Sequence, residues 1–493
     1  MTIVHRVLYP TPVESLEHYL EINGGVGWQL ARKMDPADII QVVADSGLRG
    51  RGGAGFPTGR KWRTVVDYEA GEMAKPSVVV NGAEGEPGTF KDRTILRNNP
   101  YQVVEGALIA ARAVGADIVF FGLKHSFGRE VARLRRAVDE IMAAGWDPAV
   151  ELVVFEGPGE YLYGEETALL ESIDGRYPFP RIAPPFRRGV REIVETAGDV
   201  DAGSGLSAHV EMAGPSPETI AAPTLVNNVE TMANVPRILA RGAAWFRSEG
   251  TDESPGTVVC TVTGDTPRAG VGEVVMGTPL RAAIEAIGGG ARPGRTIRAV
   301  LSGVSNPVIT AELLDTPLSY EAMAAAGTGL GSAGFMVFDD SSDMAAVAAG
   351  VSRFLAVESC GQCSACKGDG LRISAALDRI VGDGPDPHDV ADVDRRLAAV
   401  ADGARCYLAS QHQAVVGSLL TQFRSDLEGH LRGTAGPRRR ALVAELKDVA
   451  GEVAVVDPRF PSRQPDWTYD PEYSGQWPAA RLDEHRRPEA LED

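Results

Sequence analysis

The chain has 493 residues, 44% of them hydrophobic, and 49 Lys and Arg against 67 Asp and Glu give it a net charge of −18. That length asks for more than one domain. The acidic balance argues against a nucleic-acid binder, which needs a local cationic surplus, but leaves room for a small phosphorylated ligand in a pocket.

No apolar run reaches the roughly 18 residues of a membrane span, and the N-terminus lacks a signal-peptide core. Five cysteines cannot all pair, and three of them crowd into 360–366. This reads as metal ligation in a reducing cytoplasm, not as a disulfide framework.

In chain order, the pattern predicts a helix over 15–30 and another over 36–46, with Asp35 as cap and Pro36 in the first turn. Residues 48–62, LRGRGGAGFPTGRKW, are too rich in glycine for a helix or central strand and read as a structured loop. A short branched strand at 77–80 runs into the loop NGAEGEPGTFKDR. A helix over 100–115, a strand at 117–121, a helix over 128–144 and a strand at 151–155 follow. This alternation predicts an α/β layer with a largely parallel sheet, whose ligands gather at the C-terminal strand ends.

The stretch 187–223 reads as a surface insertion with a short strand or hairpin, and 224–249 as a loop and helix. A small α+β module with one helix is expected over 256–338, and a mainly helical region over 341–433. A polar, poorly ordered tail is expected over 451–493.

The loop GRGGAGFPTG at 50–59 offers backbone N–H groups and room for a ligand against the main chain. It matches neither usual nucleotide-loop pattern. Arg51, Arg60 and Lys61 bring positive charge beside these glycines; Lys61 suits a phosphate, and Phe56 suits a ring face. Asn81, Glu84 and Glu86 decorate the loop after the first strand. YLYGEETAL adds Tyr161, Gly164, Glu165 and Glu166, and PTLVNNVET adds Asn227, Asn228 and Thr231. Singly, each group is explained as well by a turn or a helix cap. Their recurrence after strands points to one shared pocket.

The sharpest chemical signal is ESCGQCSACKGDG at 358–370, in which Cys360, Cys363 and Cys366 are spaced C-x2-C-x2-C, with Cys406 far downstream. Three thiolates on a tight loop and a distant fourth can close around a [4Fe–4S] cluster. Four thiolates also suit tetrahedral zinc, although zinc ligands usually come as two separated pairs. Cys260, in an apolar β-like run, reads as a buried core thiol.

Together, GRGGAGFPTGRKW, NGAEGEPGTFKDR, YGEETALLES, PTLVNNVET and ESCGQCSACK resemble the flavoprotein, NADH-binding 51-kDa-type subunit of respiratory complex I. Similar diaphorase subunits occur in NAD-dependent formate dehydrogenases and NAD-reducing hydrogenases. The resemblance covers about residues 45–430. It implies a multidomain α/β protein, with an FMN-binding α/β domain within 1–250, an SLBB-like β-grasp domain at 256–338 and a helical [4Fe–4S] domain at 341–433. It implies FMN and [4Fe–4S] as cofactors, with NAD(H) as substrate. Hydride would pass from NADH to FMN, and single electrons to the cluster and on to a partner.

By the same resemblance, Gly50, Arg51, Gly52 and Gly53 line FMN, and Lys61 approaches its phosphate. Asn81, Glu84, Tyr161, Gly164 and Glu165 extend the flavin pocket, and Asn227, Asn228 and Thr231 form its phosphate side. Phe56, Glu86, Glu166 and Phe186 face NADH, and Cys360, Cys363, Cys366 and Cys406 hold the cluster. No acid–base residue is required, because the flavin carries the chemistry. The implied partners are a thioredoxin-like [2Fe–2S] subunit and further electron-transfer subunits. The implied location is cytoplasmic, or peripheral on the cytoplasmic face of a membrane complex.

Ala83 stands where the family usually has aspartate, and Ala183 where it usually has lysine. Ala365, Lys367 and Tyr407 also depart from the family pattern around the cysteines. These changes keep two other functions open: a subunit of a formate dehydrogenase, hydrogenase or bifurcating assembly, and a degenerate structural or assembly subunit.

Overall fold

The computed structural model describes residues 3–69, 75–190, 193–194, 219–220, 222–382, 384–386, 388–435 and 442–463. Three helices open the chain: α1 (Leu16–Glu21), α2 (Val26–Ala31) and α3 (Pro36–Ser46). The single helix expected over 15–30 is thus two. Gly25 adopts φ +79, a conformation that side chains resist, and the helix breaks there. Asp35 occupies the cap position of α3 but makes no side-chain cap bond. The glycine-rich loop ends earlier than expected. The Thr58 N–H closes onto the Leu48 carbonyl at 2.9 Å, and α4 (Thr58–Glu69) starts there.

The α/β unit continues with β1 (Ser77–Asn81), α5 (Lys91–Asn98), α6 (Pro100–Val114), β2 (Ile118–Lys124), α7 (Gly128–Ala143), β3 (Glu151–Gly157) and α8 (Glu166–Ile173). Two short strands, β4 (Ile193–Val194) and β5 (Thr219–Ile220), pair antiparallel. Residues 191–192, 195–218 and 221 of the expected insertion lie outside the described residues. Where a loop is expected from 224, the chain forms a fourth parallel strand, β6 (Thr224–Asn228), before α9 (Val229–Arg241) and α10 (Ala243–Arg247).

The sheet order is β3-β2-β1-β6. β2 is buried along its whole length, as a strand covered on both faces must be. The chain steps outward from β1 to β3, then returns to set β6 on the other side of β1. The carboxyl ends of β1 and β6 therefore flank the switch point of a Rossmann-like sheet, where a ligand crevice opens.

The next unit holds β7 (Thr257–Gly264), β8 (Gly270–Val275), α11 (Leu280–Gly288), β9 (Ile297–Ser302), β10 (Ile309–Thr310), α12 (Tyr320–Ala325) and β11 (Gly334–Asp339). It has two helices where one is expected. Its mixed sheet runs β10-β9-β11-β7-β8, with β7 and β11 parallel. The helical unit follows: α13 (Met344–Glu358), α14 (Ser364–Val381), α15 (Asp389–Ala399), α16 (Leu408–Gln422) and α17 (Arg424–Leu431). α13 is apolar nearly all round and is buried at its centre.

The first part of the expected tail is structured instead. A hairpin of β12 (Leu446–Ala450) and β13 (Val453–Val456) is ordered, because Val443, Ala444 and Phe460 bury their side chains in the helical unit's core. Residues 464–493 lie outside the described residues. Among the described residues, no helix is long and apolar enough to cross a membrane.

Candidate functional site

Asn81 ends β1 and Asn228 ends β6, and the two are register partners at the crevice. The loop of 48–57 folds over them. The Gly50 N–H bonds the Phe56 carbonyl at 2.8 Å, and the Gly50 carbonyl accepts the Tyr320 hydroxyl at 2.7 Å. Gly55 adopts φ +63, and a Cβ there would strike the Tyr320 ring at 2.4 Å, so this turn tolerates only glycine. Gly52 lies against Asn228, and a Cβ at Gly53 would meet nothing within 4 Å, so the loop presents bare backbone to open space. The Arg51 N–H bonds the Thr231 hydroxyl at 2.9 Å, tying the loop to the first turn of α9. Helix amides and uncovered backbone converge here, donors of the kind that suit a flavin phosphate and ring.

Several other predicted residues are brought near it. The Asn81 amide donates to the Gly164 carbonyl at 2.8 Å. Lys61 pairs with Glu166 at 2.5 Å, both partly exposed. Trp62 donates to Asn227 at 2.8 Å. The Tyr161 hydroxyl donates to Glu86 at 2.5 Å. Glu86 also accepts the Val304 N–H and the Ser305 hydroxyl, each at 2.6 Å. Burial raises both Glu86 and Tyr161 above their ordinary pKa values, and the Glu86 charge raises Tyr161 further.

Four predicted side chains are turned to other work. The Arg51 guanidinium is buried on the carbonyls of Arg49, Pro255 and Thr257, so only its backbone can line the crevice. Glu84 accepts the Asp92 and Arg93 N–H groups and pairs with Arg93 at 3.2 Å, which caps the first turn of α5. Glu165 caps α8 through the Thr167 and Ala168 N–H groups. Phe186 packs on Tyr68, near the far end of α4 from Phe56. The two phenylalanines are thus tied to opposite ends of a helix about 18 Å long.

Sequence reasoning missed Lys91, Asp92 and Glu230. The Lys91 ammonium lies 2.8 Å from Asp92, 2.9 Å from Glu230 and 3.2 Å from Asn228, nearly all of it out of solvent. Burial alone would lower Lys91, but Asp92, Glu230 and Glu84 raise it. Burial raises Asp92, and the two other carboxylates add to this against the pull of Lys91. The two shifts point opposite ways about one contact. The carboxylates outnumber the cation, so Lys91 stays charged among them. The only sequence signal was F-K-D directly after the glycine loop, and charge alone does not reveal burial.

The cysteines sit where helices of the third unit end and begin. Cys360 follows α13, Cys363 occupies the cap position of α14, Cys366 lies in the first turn of α14, and Cys406 precedes α16. The positive N-terminal ends of α14 and α16 therefore adjoin the sulfurs and favour thiolates. The Cys360 sulfur accepts from Gln362 and the Cys363 sulfur from the Arg405 N–H, each at 3.4 Å, and Ser359 lies 3.2 Å from Cys366. Burial raises the thiol of Cys360; it pushes Cys366 up to about 11 and Cys406 up to about 12, with neighbouring cysteines adding to each rise.

A bound cation reverses this and holds thiolates. Among the described residues, no three His, Cys, Asp or Glu groups are close enough to hold a single ion. In a cubane each of four thiolates takes its own iron, the chemistry that three clustered cysteines and a distant fourth can serve. Lys367 is fully buried, and its ammonium bonds the Ala356 carbonyl at 3.0 Å and the Ser359 carbonyl at 2.8 Å, capping α13 beside the cysteines.

The crevice and the thiols adjoin. Glu165 acts electrostatically on Cys406. Gln411, on α16, donates to the Tyr161 hydroxyl at 3.3 Å. The Tyr161 N–H donates to Glu358, at the end of α13, at 2.9 Å. Tyr407, beside Cys406, is 64% exposed, so it does not close the gap by packing.

His412 is fully buried on α16 against Ser352, and burial lowers it to about 4. Its unfolded pKa is higher, so the stability it permits is complete above that value and is lost as pH falls through the folded one. We expect about 3 kcal/mol of stability to disappear between pH 6.5 and 4. His412→Gln should flatten that slope in denaturant unfolding followed against pH.

Residues 43–237 match the Nuo51 FMN-binding domain, and residues 346–430 match the NADH-ubiquinone oxidoreductase-F iron-sulfur binding region. An NADH-quinone oxidoreductase F subunit of Rhizobium meliloti is 36% identical over 426 residues, covering 83% of this chain and 93% of the relative. The NADH-quinone oxidoreductase F subunit of Mycobacterium tuberculosis is 36% identical over 436 residues, covering 85% of this chain and 91% of the relative. A crystal structure of NAD+-reducing [NiFe]-hydrogenase in the H2-reduced state is similar with a TM-score of 0.72 and 32% identity, over 87% of this chain and 68% of that one. With two matched regions in the family's order, relatives covered almost end to end, and glycine crevice and thiols side by side, this chain belongs to the family of NADH-quinone oxidoreductase F subunits.

Proposed function

We propose that this chain is the NADH-oxidising input subunit of a larger electron-transfer assembly, carrying FMN and a [4Fe–4S] cluster. The observation that carries this reading is the meeting of the crevice with the thiol set through Tyr161, Gln411 and Glu358. When bound, FMN accepts hydride from NADH and releases electrons singly, which joins two-electron to one-electron chemistry. The backbone of Gly50–Gly53 cradles FMN, while Lys61, Asn227, Asn228 and Thr231 hold its phosphate side and Asn81, Gly164 and Tyr161 its ring side. Glu86 serves by fixing Tyr161. Phe56 and Glu166 line the NADH approach, while Phe186 stays on Tyr68 at the other end of α4. Cys360, Cys363, Cys366 and Cys406 hold the cluster.

The domain reading is 1–250 for FMN and NADH, 256–338 as an SLBB-like β-grasp domain and 341–433 for the cluster. The mixed order β10-β9-β11-β7-β8 supports the β-grasp assignment. The next carrier is a thioredoxin-like [2Fe–2S] subunit, consistent with the thiols' place at helix ends near the surface. The five free cysteines favour the reducing cytoplasmic side. A second reading, the diaphorase subunit of an NAD-reducing hydrogenase, is favoured by the structural likeness.

Anaerobic NADH titration tests the proposal. Flavin bleaching with cluster reduction supports it, and a chain holding neither group ends it. Lys61→Ala should weaken FMN binding about tenfold or more, the worth of a charge-assisted hydrogen bond, as read by flavin fluorescence.

A further inference from the structure

Residues 442–463 lie outside both matched regions, yet they touch all three units. On the α/β unit, Glu445 pairs with the buried Lys124 at 2.6 Å. That ammonium packs on Gly85, where a Cβ would meet it at 2.7 Å, so the contact lies directly under the loop carrying Glu84 and Glu86. The Leu446 carbonyl accepts Arg93 at 2.6 Å, and Asp448 pairs with Arg97 at 2.7 Å. On the second unit, the Glu452 carbonyl accepts the Ala269 N–H at 2.7 Å. On the helical unit, Phe460 stacks on Phe354, whose ring also meets Tyr161 edge-on.

The described chain then ends on a cation placed among carboxylates. Arg463 pairs with Glu358 at 2.6 Å and lies 3.9 Å from Glu160. Both carboxylates are almost wholly buried. The second oxygen of Glu358 accepts the Tyr161 N–H at 2.9 Å, and Glu160 immediately precedes Tyr161. Arg463 thereby fixes the backbone of a crevice residue from the far end of the chain.

We propose that residues 442–463 are a positioning strap for the cofactor crevice, with Arg463 as the positioning residue that holds Tyr161 through Glu358. This rests on the reading of the crevice as the FMN site. Without the cation, two buried carboxylates stand together, and the segment 158–166 must shift to admit water.

The test uses the full chain with two readouts. Arg463→Gln should accelerate hydrogen exchange at 158–166 about tenfold and weaken FMN binding about tenfold, and Arg463→Lys should recover most of both losses. Asp448→Ala, which breaks a strap ion pair away from Tyr161, should leave both readouts near wild type. Unchanged exchange at 158–166 in Arg463→Gln overturns the strap assignment. So does an Asp448→Ala variant that loses as much as Arg463→Gln, since the strap would then act only as general glue. A wild-type chain that binds no FMN, but in which Arg463→Gln still loosens 158–166, upholds the strap and overturns the FMN reading instead.

Discussion

Cys363→Ser should strip most of the iron from the chain while leaving the flavin in place. Cys363 occupies the cap position of α14 and belongs to the one segment that carries three of the four thiols. A serine oxygen is a harder and poorer ligand for iron. The loss should exceed the roughly 10–100-fold that removing a mere supporting partner costs a metal site. FMN binding should persist, because the proposed cradle is the Gly50–Gly53 loop over the ends of β1 and β6 and the start of α9, and among the described residues none of these bonds Cys363. Iron analysis and the spectrum of the reduced centre, set against flavin content, check both halves. A variant with full iron and a normal reducible cluster would remove Cys363 from the ligand set.

Lys91→Met should be among the most damaging changes outside the cysteines. It leaves Asp92 and Glu230 buried beside Asn228 with their shared cation gone. Breaking a buried ion pair from one side costs about 3–5 kcal/mol. The deficit has a sign in pH. Burial already raises Asp92, and removing Lys91 raises it further, so the folded variant favours the protonated acid. Stability is then retained at low pH and lost as pH rises through the raised value. Denaturant unfolding should show a smaller deficit near pH 5 than near pH 8. Adding Asp92→Asn should recover part of the loss, because it withdraws one of the stranded charges. A pH-independent deficit would show that the lysine acts by packing alone.

The main chemistry was legible because it is local. C-x2-C-x2-C needs only a tight loop, and GRGGAGFPTG needs only bare backbone. The parallel sheet was legible because β2 is a continuous apolar run between turn signals. β6 was not. TLVNN is short, and its strand character comes from pairing with β1, which is distant in sequence. The break at Gly25 was missed because the hydrophobic spacing continues through it. Glu84 and Glu165 each take nearby helix N–H groups, a local bond that competes with any ligand and that their spacing alone does not reveal.

By itself, the sequence determined which groups are on offer: four thiols in a ligand spacing, glycine loops with bare backbone, and a sheet whose strand ends collect ligands. Only the tertiary structure decided which of those groups are free to do so. Burial and partner choice depend on residues hundreds of positions apart. Lys91 becomes the buried centre of a carboxylate set, Arg51 turns its charge inward, and Arg463 reaches Tyr161 through Glu358, only because the folded chain brings those segments out of water together.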